Sequence, residues 1–168
     1  MDAVRLIAAG RHALAQSVTT GDTVAEAWQA QALAQAIGSW LAVTGPPELR
    51  TEARGLGEAG GRGCGVLDRQ ALGMDGKAEA SPRSQQLSGV ADIRQALLGM
   101  AALLGEVGIA LVSVACATDD EGLYWHCIEA IDAADESSDR VRAILRRLTD
   151  RERGSTSGAA RDSTAGAS

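Results

Sequence analysis

The chain is 168 residues long, 45% apolar, and carries a formal net charge of −6. That length gives one domain, and that apolar share is too high for wholesale disorder. The acidic balance excludes a protein that tracks nucleic-acid phosphates and disfavours an anionic membrane surface.

The apolar fraction is mostly Ala, Leu and Val, with no Phe and one Tyr. These residues, with Arg, Glu and Gln, favour helix, while β-branched and aromatic runs suited to strands are scarce. The fold class is therefore all-α. Asn is absent and Lys77 is the single Lys, a bias that a high-GC genome produces, so the excess of Arg is weak support for nucleic-acid binding. Cys64, Cys116 and Cys127 form no CxxC pair and are expected as reduced thiols packed as small hydrophobes. The opening MDAVRLIAAGRHALAQ has an acid at position 2 and polar residues interspersed throughout, unlike a secretory signal. The expected compartment is the cytoplasm.

The first helix is expected from Asp2 to about Ser17, with Ala3, Leu6, Ile7, Gly10, Ala13 and Leu14 on one face. Thr23 and Glu26 have the spacing of a capping box for a second helix that runs to about Val43. Ala30, Leu33, Ala34, Ile37, Trp40 and Leu41 form its apolar stripe. Pro46 and Pro47 stop it and open a third helix to about Leu72, which six glycines between Gly55 and Gly65 weaken. That helix survives only where the missing side chains let a neighbour approach closely; otherwise it breaks near Gly60. Residues 73–88 are polar, aperiodic and contain Pro82, a flexible connector.

Ser88 is the expected cap of the chain's most apolar segment. From Val90 to Ala117, Glu106 is the one acid or base after Gln95. Asp92, Gln95, Gly99, Ala102, Glu106 and Ser113 gather on one narrow strip, so the rest of this helix must touch neighbours on most sides. Thr118 and Glu121 have the spacing of another capping box. The last helix runs to about Arg151, acidic at its start and rich in Arg at its end, an order that suits the helix dipole.

Gly55-Leu56-Gly57-Glu58-Ala59-Gly60 matches the dinucleotide fingerprint by letter, but a polar helical run precedes it where a strand is required. His12 and His126 are too few for a carboxylate-bridged metal centre, and nucleophile elbows and phosphate loops are missing. No cofactor and no enzymatic activity are expected. The informative surface is on the last helix, where Trp125, Glu129, Asp132, Glu136 and Asp139 share the face opposite the Leu123–Leu148 core stripe. An outward acidic ridge is ordinary; a Trp at its head is typical of an interface anchor. Trp28 is placed similarly, opposite the Leu33–Ile37–Leu41 stripe beside Gln31 and Gln35.

AEAWQAQALAQAIGSWLA, GPPELRTEARGLGEAGG and EVGIALVSVACATDDEGLYWHCIEAIDAADESSDRV together resemble a family of small uncharacterised proteins from high-GC Gram-positive bacteria, a domain of unknown function. The resemblance extends to about Leu148 and implies no activity and no site residues.

The expected architecture is an antiparallel bundle of four to five helices around the buried apolar helix at about 89–117. Residues 1–151 form its one domain and residues 152–168 a disordered tail. The expected function is non-enzymatic, through an unknown protein partner or a homodimer. One alternative is a small-molecule-binding bundle with its ligand between the third and the central helix. Another is a single-span membrane protein through 96–117, disfavoured because the other apolar stripes need that helix to pack on.

Overall fold

Asp2 anchors the start of the chain in two directions. Its Oδ1 accepts the Val4 N–H at 3.0 Å as the N-cap of α1 (Ala3–Ala15), and its Oδ2 accepts the Ala91 N–H at 2.9 Å. Ala3 N–H donates to the Gly89 carbonyl and Ser88 N–H to the Met1 carbonyl, each at 3.0 Å. The lead-in to α4 (Ile93–Ala117) is thereby held beside the beginning of α1. Between them come α2 (Thr20–Thr44), a 3-10 turn at Pro47–Leu49, α3 (Arg50–Val66) and a second 3-10 turn at Arg83–Gln86; α5 (Glu121–Thr164) closes the chain. The structure, a computed structural model, describes residues 1–68 and 81–164.

All five helices expected from periodicity are there, and no strand occurs among the described residues. Contacts fix their directions. Gly38 meets Ala53 and Gly57, and Gly60 meets Gln31 and Gln35, so α2 and α3 are antiparallel. Arg62 pairs with Glu136 and Arg140 with Glu52, which sets α5 antiparallel to α3. Ile7 touches Gly99, Leu103 touches Gly10, and Arg11 pairs with Glu106; α1 and α4 run parallel. The antiparallel expectation thus needs correcting at one pair. The long connection between α3 and α4 is what lets α4 return in the direction of α1.

Helix starts depart from the expected caps. Thr19 caps α2 in a reciprocal box with Asp22, one turn before Thr23. Asp92 caps α4 through the Gln95 N–H, and Ser88 instead accepts from the amino terminus. Asp120 accepts the Leu123 N–H at the start of α5, while Thr118 accepts from Asp120. In each case an acid or Thr nearer the true boundary satisfies the same orphan N–H groups.

The glycines of α3 work as the sequence requires of a continuous helix. A Cβ on Gly60 would lie 2.6 Å from the Gln35 nitrogen, and one on Gly38 would lie 2.4 Å from the Gly57 nitrogen. Without them α2 and α3 could not approach backbone to backbone. α3 does not break at Gly60 but ends at Val66, short of the expected Leu72, and residues 69–72 with the first half of the 73–88 connector fall outside the described residues. Arg83 at the end of that connector is docked on α2, its side chain paired with Glu26 and its N–H donating to Gln29 at 2.8 Å.

The apolar helix supplies the core with Leu97, Met100, Leu103, Leu104, Val107 and Leu111, all fully buried. α2 is nonetheless the more enclosed of the two: eleven of its 25 residues are buried, against nine of 25 in α4. Gln29 to Ala34 are buried consecutively, which only neighbours on several sides can produce. Gln31, expected on the outer face, is fully buried because α3 and α5 close over it. α5 continues as helix to Thr164, where the tail was expected to be disordered, yet residues 151–161 are all exposed and add nothing to the core.

Candidate functional site

Eight large apolar side chains are exposed among the described residues, and five of them belong to α4 and the start of α5. On α4 these are Leu98 (51% exposed), Ile109 (71%) and Val112 (47%). Their positions, with Ala102, Gly105 and Cys116 between and after them, advance by four and three residues alternately: 98, 102, 105, 109, 112, 116. That is the 3.5-residue spacing of a helix seam. It carries no charge from end to end.

The sequence placed the wet edge of this helix elsewhere, on Asp92, Gln95, Gly99, Ala102, Glu106 and Ser113. Part of that strip faces α1. A Cβ on Gly99 would touch Ile7 at 3.2 Å, and Glu106 receives the Arg11 guanidinium through Nε at 3.0 Å and Nη2 at 2.5 Å. Both partners of that pair stay substantially exposed, so it contributes little stability. Asp92, Gln95 and Ser113 of that strip are exposed as expected, and beside it α4 turns a second, apolar edge outward.

α5 extends the patch. Gly105, Gly108, Ile109 and Val112 line a shallow groove with Ile131 and Asp135. Tyr124 lies seven residues before Ile131 and so on the same side of α5. Trp125 packs edge-on to Tyr124, the ring centres 5.3 Å apart and the planes at 80°. Tyr124 is 40% and Trp125 56% exposed. The combined apolar area is on the order of 500 Å², within the range of the largest patch on a monomer and often a functional one.

Of the residues singled out in the sequence, Trp125 heads an exposed ridge with Glu129, Asp132 and Asp139. Glu136, half-buried, turns to Arg62 of α3, and Asp139 is held by Arg142 one turn on. Trp28 does not join them. It is half-buried against the core, and its carbonyl accepts the Cys64 thiol at 3.9 Å. The two tryptophans thus differ in kind: Trp28 is packed by its own chain and Trp125 is presented to solvent. Leu98, Ile109, Val112, Cys116 and Tyr124 escaped the sequence reading. Their four-three spacing was legible, but a helix apolar on all sides does not announce which side stays bare.

The glycine fingerprint Gly55–Gly60 lies inside α3, with no strand before it and its backbone committed to the helix. α2 and α5 each pack against both α3 and α4. On the outer side of α2 and α3, Gln35, Ser39, Arg54, Gly57, Glu58 and Gly61 border another shallow groove. His12 is exposed, and His126 Nδ1 lies 2.7 Å from the Gly122 carbonyl. Burial pushes the Cys64 thiol up to about 11 and raises that of Cys127, so both stay protonated at neutral pH, whereas Cys116 is exposed at the end of the α4 seam.

Residues 1–147 match the model of a family of unknown function (DUF6099). No curated protein and no solved structure matches the chain.

Proposed function

Because the chain belongs to that family of unknown function, its role must be argued from its surface, and we propose that it is a non-enzymatic, cytoplasmic contact module. It docks a protein through the bare edge of α4 and the aromatic pair that opens α5. The observation that carries this is that, of the eight large apolar side chains exposed among the described residues, five lie on α4 and the opening turn of α5. An uncharged seam with a central Ile, rimmed by Tyr, Trp and acids, has the composition of an interface core within a polar rim.

α4 is also long and apolar enough to cross a bilayer. Lipid insertion would strip Leu97, Met100, Leu103, Leu104, Val107 and Leu111 from the core they complete, and each fully buried side chain is worth about 1.5–3 kcal/mol. Those residues favour α4 as a member of the bundle with one edge left for a partner.

A photoreactive residue at position 109, introduced in the cells that make the protein, tests this. The same group at the exposed Val43 serves as control. Protein adducts at 109 and none at 43 are expected. Lipid adducts at 109, or no difference between the two positions, would refute a protein-docking face.

A further inference from the structure

We infer that the occupant of the α4 edge is a second copy of this chain, with the two α4 helices antiparallel about a two-fold axis level with Val107. This rests on the docking face proposed above and goes further, by naming the partner and the register.

The inference comes from the order of side-chain sizes along the seam. In an antiparallel pair centred on position 107, residue n faces residue 214 − n of the other copy. Leu98 then faces Cys116, Ala102 faces Val112, and Gly105 faces Ile109. Every contact sets a large side chain against a small one. That alternation lets two layers interdigitate without voids or overlap. The register also pairs each seam position with the opposite member of the four-three repeat, the partnership that antiparallel coiled helices require because only parallel ones set like positions together. A parallel pair would set Ile109 on Ile109 and leave Gly105 facing Gly105, crowded at one level and empty at another.

Charge and area agree with this occupant. The seam itself bears no charge and Glu106 beside it is already paired with Arg11; the exposed Asp135, which borders the groove with Ile109 and Val112, stays at the solvent rim of the pair. The acidic ridge of Glu129, Asp132 and Asp139 is unsuited to meeting its own copy, so the contact is centred on α4 and takes from α5 only the Tyr124–Trp125 pair at its start. Two patches of about 500 Å² bury about 1,000 Å² together, the threshold of a specific interface and the size of a weak, reversible one. The dimer therefore dissociates on dilution through the micromolar range.

Cysteine placement gives the test. Cys116 and Cys116 of the other copy would stand about 27 Å apart in the antiparallel pair, eighteen residues of helix rise, and in contact in a parallel one. The full-length wild type, mildly oxidised at a concentration where it is dimeric, should form no disulfide dimer. Leu98→Cys should form one in high yield through Cys116, and Leu98→Cys with Cys116→Ser should lose it. Ile109→Glu should keep the helical spectrum and weaken association at least about thirtyfold, the loss expected of a central anchor.

A wild type that cross-links through Cys116 would overturn the antiparallel register, and a wild type that stays monomeric at all concentrations would overturn self-pairing. If the wild type is monomeric but position 109 captures a different protein in cells, the docking face stands and only the self-pairing falls. Capture of nothing, or of lipid alone, removes both.

Discussion

Gly38→Ala and Gly60→Ala should destabilise the protein although both replace the poorest ordinary helix former with the best. Ala is favoured over Gly in a helix interior by up to ~1 kcal/mol. Against that gain, the new methyl on residue 38 would stand 2.4 Å from the Gly57 nitrogen and 2.8 Å from the Ala53 oxygen. Ordinary contact begins at 3.4 Å, so α2 and α3 must separate by about an ångström, and the obstacle is backbone that no rotamer change relieves. Separation loosens Ile37, Leu41, Ala53 and Leu56, all fully buried around this crossing. Overpacking costs typically about 1–3 kcal/mol, and a backbone clash belongs at the upper end, leaving a net loss of about 1–2 kcal/mol after the propensity gain. For a chain of this size that lowers Tm by about 2–8 °C. Gly108→Ala is the control, since nothing lies within 4 Å of its Cβ position in mid-helix, and it should raise Tm by about 2–4 °C. Thermal and urea unfolding followed by circular dichroism measures all three. If Gly38→Ala and Gly60→Ala match or exceed the wild type, the helices do not approach as closely as described.

Gln31 is fully buried, its Oε1 accepting from Ser137 at 2.9 Å while its Nε2 has no partner among the described residues. Ser137→Ala should cost about 1–3 kcal/mol by orphaning the oxygen too, and adding Gln31→Met should recover most of it; a double-mutant cycle with no coupling would contradict the contact. Asp2 is held below its ordinary value of 3.8, first by the Ala91 N–H and then by the Val4 N–H. A depressed carboxylate stabilises fully above its unfolded pKa and loses that contribution as pH falls through the folded one. The stability gap between the wild type and Asp2→Ala should therefore be constant above about pH 5 and shrink below 3.8. A gap that widens in acid would exclude the cap. Of the three thiols, Cys116 alone should react rapidly with a disulfide reagent in the native state at pH 8, Cys64 and Cys127 following only on unfolding. Three equally fast thiols would mean the two inner ones are not packed.

The helices were legible because their apolar residues recur at three and four, and α1 and α2 bury most of the stripe so identified. The glycines of α3 were legible too, as a helix that survives only by close approach, and Gly60 on α2 is that approach. What the pattern could not supply was orientation. Gln31 carries a polar side chain on a helix with an obvious apolar stripe, and only the arrival of α3 and α5 from other directions explains its burial. α4 posed the opposite difficulty: its periodicity marked the thin polar strip from Asp92 to Ser113, but among so many apolar residues it did not show that a second edge also stays bare. Arg11 reaching Glu106 decided that the polar edge meets α1 and the Leu98–Cys116 edge meets solvent. That contact spans 95 residues of sequence, and no local rule anticipates it.

Sedimentation equilibrium of the wild type beside Ile109→Glu tests the role of that edge most directly. A wild-type mass that climbs from one chain toward two across the micromolar range, with Ile109→Glu at one chain throughout and equally helical, is the expected result. A wild type of one-chain mass at every concentration, or an Ile109→Glu variant that associates as strongly, would contradict it.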